Sequence, residues 1–77
     1  MTTTTMIEVN MTVSQFNGNP SDLKDKRVRS LARPEILGTI VRVGETRGMD
    51  EVVIHWDNDP KPYSVVFIHQ CENELVS

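Results

Sequence analysis

A chain of 77 residues with a formal charge of −3 and one cysteine is enough for a single small domain, and a domain of this size buries only roughly 60% of its unfolded surface. One thiol excludes an internal disulfide, and no apolar run approaches the ~18 residues of a membrane span. The start Met1-Thr2-Thr3-Thr4-Thr5-Met6 lacks the basic end and long apolar stretch of a signal peptide, so a soluble, cytoplasmic protein with no membrane partner is expected.

Met1 to Thr5 reads as a disordered lead. The run Ile7-Glu8-Val9-Asn10-Met11-Thr12-Val13 then alternates with period two, placing Ile7, Val9, Met11 and Val13 on one side. It reads as a half-buried strand, an N-terminal β arm that either docks on its own domain or pairs with another chain by adding to a sheet edge. Ser14 to Asp22 is rich in Asn, Gly, Pro and Ser and reads as a turn or linker, with Ser21 capping one helical turn through Asp22, Leu23 and Lys24.

From residue 25 onward the β-branched residues concentrate. Asp25 to Leu31 reads as a charged first strand with Val28 inward and Arg27 and Arg29 outward, broken by Ala32-Arg33-Pro34-Glu35 because proline cannot donate to a ladder. A second strand follows at Leu37 to Val43, and Gly44 to Asp50 reads as a hairpin loop too long for a two-residue turn. Glu51 to Asp57 is the third strand, Asn58 to Pro62 a loop dense in turn formers, and Tyr63 to His69 the fourth strand. Gln70 to Glu74 suits one 3₁₀ turn before a short last strand at Leu75-Val76. Three of the four aromatics, Trp56, Tyr63 and Phe67 but not Phe16, fall in the C-terminal half, so the core is expected there, filled by Val28, Val41, Val43, Ile54, Trp56, Phe67 and Leu75.

This order of elements resembles a five-stranded SH3-like barrel. More narrowly, Lys26-Arg27-Val28-Arg29 with Arg33-Pro34-Glu35, Gly38-Thr39-Ile40-Val41, Val52-Val53-Ile54-His55-Trp56 and Asn73-Glu74-Leu75-Val76 is similar to the small barrels found among the accessory subunits of photosystem I and to the KOW and Tudor group. The resemblance implies an all-β fold, a small five-stranded SH3-like barrel over residues 25–77 preceded by the arm and linker of residues 1–24. Motifs of this kind are structural, so they imply a fold and carry almost nothing about function.

Candidate chemistry is sparse. His69 and Cys71 with His55 fall short of zinc spacing, and they read as two outward histidines and a small buried thiol. Asp57 and Asp59 read as turn chemistry, in which the side chains bond their own backbone. There is no phosphate loop, nucleophile elbow or His-Glu-x-x-His, so neither an enzyme nor a cofactor or metal is expected.

Binding is the remaining class. In the favoured version a larger protein partner is held by the sheet edges, the arm through Ile7, Val9 and Met11, and the loops at 33–37, 44–50 and 58–62, with Arg27, Arg29, Arg33, Arg42, Arg47 and Tyr63 as contacts. That suits a viral or mobile-element protein that inhibits a host protein, or an accessory subunit. The alternative is a nucleic-acid module of KOW or Tudor type. Residues 24–47 carry seven basic side chains (these five arginines with Lys24 and Lys26) against three acidic ones, and residues 50–77 carry one against six. The acidic pI of about 5.2 weighs against nucleic acid, and opposite-sign cross-strand pairs would also produce this asymmetry.

Overall fold

The computed structural model describes residues 11–57 and 63–76. Ile7 and Val9 of the expected arm, and the expected 58–62 loop, lie outside the described residues. Five strands form one antiparallel sheet: β1 (Arg27–Arg29), β2 (Leu37–Thr46), β3 (Met49–Trp56), β4 (Tyr63–Phe67) and β5 (Glu74–Val76). Their order is β4-β3-β2-β1-β5, so the chain meanders through four strands and the fifth returns beside the first. Among the described residues β4 and β5 do not pair, and the sheet stands open where a closed barrel was expected.

β1 is shorter than the charge pattern suggests. Asp25 sits in the left-handed region at φ 72°, its N–H donating to the Ile40 carbonyl at 2.7 Å, and beyond Arg29 the Ser30 N–H turns to the Ile36 carbonyl at 3.0 Å. β2 is longer than expected and contains a bulge. Ile40 faces Ile54 and Arg42 faces Val53, which leaves Val41 as the extra residue. The inward parity therefore changes along the strand, with Gly38 and Ile40 buried before the bulge and Val43 packed on the core after it. Val41, expected in the core, is 37% exposed because a strict period of two cannot anticipate the reset.

The β2–β3 hairpin is also tighter than the sequence suggests. Thr46 pairs with Met49, and the two residues between them, Arg47 and Gly48, have φ of 54° and 77°. Two positive φ values in a two-residue turn match the right-handed twist of the flanking strands, so pairing continues through Gly44 and Glu45 to the tip.

Val13, Leu23, Val28, Ile40, Val52, Ile54 and Cys71 form the buried core, with Trp56, Val43, Val66, Ile68, Leu75 and Phe16 packed against it. Two core members lie in the segment read as arm and linker. Val13 opens a 3₁₀ turn, Val13–Gln15, instead of continuing a strand, and Leu23 closes a second one, Pro20–Leu23. The cap of that second turn is Asn19, whose side chain accepts from the Ser21 N–H at 3.2 Å, not Ser21 as expected. Main-chain bonds tie the first turn to the edge of β5: Leu75 N–H donates to the Met11 carbonyl at 2.8 Å and Val13 N–H to the Asn73 carbonyl at 2.9 Å. The described end of the arm thus docks on its own chain.

β4 ends two residues early, at Phe67, and the expected 3₁₀ turn falls at Ile68–Gln70. Val66 faces buried Val52 and Phe67 faces Glu51, so Phe67 belongs to the outer side of the sheet and not to the core. Its ring stacks on His69 with centroids 5.9 Å apart.

Candidate functional site

The register of the sheet aligns the outward side chains of β2, β3 and β4 in rows. Arg42 faces Val53, which faces Val65; Thr39 faces His55, which faces Tyr63; Glu51 faces Phe67. Directly opposed side chains in an antiparallel pair lie about 4.5–5.5 Å apart at Cβ, so each row is a line of contact. The His55 and Tyr63 rings tilt against each other at 5.1 Å. Tyr63 is 63% exposed and Val65 62%, and with Val53 and Val41 they form an apolar surface beside the exposed Arg42 guanidinium.

The sequence-predicted arginines divide into two groups. Arg27 is held by the chain itself: its guanidinium donates to both Asp57 carboxylate oxygens at 3.1 and 2.6 Å and to the Thr39 hydroxyl at 2.7 Å. The two-pronged bond holds the Asp57 carboxyl below its ordinary range and raises the Arg27 guanidinium above its own. Arg29 donates to the Pro34 carbonyl at 2.7 Å and lies opposite Glu74 in the β1–β5 register, 3.9 Å away. Opposite-sign pairing across strands therefore accounts for part of the charge asymmetry. Arg33 in the β1–β2 connection, Arg42 on β2 and Arg47 at the hairpin tip are exposed and belong to three separate elements. Met11, 45% exposed, sits at the β5 edge, and Tyr63 lies on β4 at the far side of the sheet.

His55 is on the outer side of the sheet as expected, but sequence reasoning misses Val53, Val65 and Val41 as surface residues. For Val65 the signal that could have found it is that β4, Tyr63-Ser64-Val65-Val66-Phe67, carries apolar residues on both sides, while only one side of a terminal strand meets the core.

Among the described residues no three His, Cys, Asp or Glu side chains gather as metal ligands, and no helix is long and apolar enough to cross a membrane. Cys71 is buried, and desolvation pushes its thiol pKa up, which disfavours the reactive thiolate. An open cleft of about 220 Å³ between the first 3₁₀ turn and the start of β3 is lined by Ser14, Met49, Asp50, Ile68 and His69. No known family, curated protein or solved structure matches the chain.

Proposed function

We propose that the chain is a non-catalytic binding module of SH3-like type that contacts a larger protein through the outer side of β2–β4, with the adjoining loops and the N-terminal arm as further contacts. The strand order supports this reading, since a four-strand meander and a return strand beside β1, preceded by a 3₁₀ turn, are the elements of the resemblance. The observation that carries it is the outer row of exposed Val65, half-buried Val53 and exposed Arg42 with Tyr63 beside it, an apolar surface bordered by a guanidinium. A surface of that composition suits a partner with an apolar patch and a carboxylate. The biological setting that fits a module this small is a viral or mobile-element protein that occupies a host protein, or an accessory subunit of a larger assembly.

The experiment is affinity capture from nuclease-treated and untreated lysate with the native chain and with Arg42→Glu, at low and high salt. Protein retained at high salt by the native chain and lost with Arg42→Glu supports the reading. Retention of RNA alone, released as salt rises, would replace it with the nucleic-acid reading through Lys24, Lys26, Arg33, Arg42 and Arg47, because phosphate contacts weaken steeply with salt and apolar ones do not.

A further inference from the structure

An open sheet has two edges, and here they differ. The β5 edge is covered by its own chain, since Met11 and Val13 bond to Leu75 and Asn73 and Thr12 bridges Glu74. Among the described residues nothing pairs with the outer edge of β4. Alternate residues of such a strand turn their N–H and C=O groups away from the sheet, and proteins normally guard an edge of this kind with a charge, a proline or a bulge. β4 has none of these: its five residues, Tyr63-Ser64-Val65-Val66-Phe67, are uncharged, and its pairing with β3 runs without a register shift.

We propose that β4 is a dimerisation edge, pairing antiparallel with β4 of a second copy about a twofold axis at Val65. The inference concerns the strand edge, whereas the partner reading concerns the sheet's outer side; the two share Tyr63 and Val65, and self-association of the purified chain reads the edge alone. The occupant is a second copy because the strand is complementary to itself. A twofold interface requires that if residue i meets j, then j meets i. With Val65 on the axis, Tyr63 meets Phe67 of the second copy, and Phe67 meets its Tyr63, giving two aromatic cross-strand pairs. Ser64 likewise meets Val66 of the second copy on the inner side, and Val65 meets Val65. An antiparallel pair has a local twofold at every residue pair, whether or not that pair exchanges hydrogen bonds, so the register is allowed whichever groups β3 already uses. No pair in it sets like charges against each other. The exposure agrees: Tyr63 and Val65, at 63% and 62%, are the two most exposed apolar side chains of the strand and would gain most cover from a neighbouring strand. Joining the edges would also extend the outer row, Arg42, Val53 and Val65 of one copy continuing into Val65, Val53 and Arg42 of the next.

Sedimentation equilibrium of the purified full chain over the micromolar to millimolar range tests this. A monomer–dimer equilibrium is expected that closes at two. Val65→Lys, which sets two ammonium groups against each other at the axis, is expected to weaken association on the order of tenfold or more with an unchanged circular dichroism spectrum. Leu31→Lys, at a side chain 64% exposed in the β1–β2 connection, is expected to leave it unchanged. A monomer throughout the range, a dimer indifferent to Val65→Lys, or growth to species larger than two would each overturn the proposal. Should Val65→Lys fail to fold, Val65→Cys decides: under mild oxidation it is expected to form a covalent dimer, native Cys71 being buried, and absence of that cross-link would equally overturn it.

Discussion

Replacing Gly38 with alanine is expected to destabilise the fold although it adds a single methyl group. Gly38 is buried at the start of β2, opposite Trp56, and a Cβ built there would lie 2.6 Å from Trp56 Cε3, 2.9 Å from Ile54 Cγ2 and 3.0 Å from the His55 carbonyl oxygen. The three obstacles relieve differently. Ile54 is fully buried in the core, the His55 oxygen belongs to the β3 backbone, and the Trp56 ring is anchored by its Nε1–H, which donates to the Ser64 hydroxyl at 2.9 Å. Moving the ring breaks that bond, and moving the backbone parts β2 from β3. Overpacking a close-packed site costs about 1–3 kcal/mol, against about 0.4–1 kcal/mol gained because alanine restricts the unfolded chain.

The net loss is about 1–2 kcal/mol, which for a domain of this size lowers Tm by roughly 5–15 °C. Thermal unfolding followed by circular dichroism and by Trp56 fluorescence reads it, the fluorescence reporting any displacement of the ring. Gly44→Ala is the comparison: its Cβ would meet nothing closer than Glu51 Cγ at 3.7 Å, an ordinary contact, so its Tm should equal or exceed that of the native chain. If Gly38→Ala melted with the native chain, the close approach of the indole to β2 would be refuted, and with it the packing of the β2–β3 inner side.

Gly48→Ala tests a different cause at the hairpin tip. Nothing lies within 4 Å of its Cβ position, but φ is +77°, so a loss of about 1 kcal/mol by denaturant unfolding is expected from backbone strain alone. Val13→Ala should cost on the order of 2 kcal/mol; equal melting of native chain and Val13→Ala would show that the segment before β1 is not part of the core. Asp57→Asn should lower Tm at neutral pH. Because the folded-state carboxyl is depressed, its contribution is present above the unfolded pKa of about 3.9 and fades as pH falls through the lower folded value, so the melting temperatures of the native chain and of Asp57→Asn should converge in acid; a gap constant from neutral pH into acid would refute the bond to Arg27.

What was legible in the sequence is what local pattern controls. Val and Ile runs bounded by Gly, Pro, Asn and Asp mark β2, β3 and β4, and Val28 between two arginines fixes the inward parity of β1. What was not legible depends on partners distant in sequence. The bulge at Val41 arises from how β2 meets β3, not from any residue in the run itself, and it exchanged an expected core residue for Ile40. Leu23 and Val13 sit in Asn- and Pro-rich surroundings that read as a linker, yet they are drawn into the core because so short a chain has few apolar side chains with which to fill it. Of the candidate site, Tyr63 and Arg42 were legible as exposed residues. Their grouping with Val53 and Val65 requires the strand register, which no local pattern in the chain encodes.

The same register changes the meaning of the charge asymmetry. Read along the chain, residues 24–47 look like a cationic segment and residues 50–77 like an anionic one. In the folded sheet the β1 end brings the two together, Arg27 with Asp57 and Arg29 with Glu74, so the cations nearest the β5 side face carboxylates of the same molecule. Exposed pairs of this kind contribute little to stability, so their main consequence is for recognition: a polyanion approaching β1 meets arginines already sharing their charge. At the β4 end the outer rows hold Val53, Val65, His55, Tyr63 and Phe67, with the Arg42 guanidinium and the Glu51 carboxylate among them. Among the described residues the sheet is thus ion-paired toward β5, where Arg29 meets Glu74, and carries its most exposed apolar strand side chains, Tyr63 and Val65, toward β4, so the desolvation gained by covering apolar surface is largest at the β4 end.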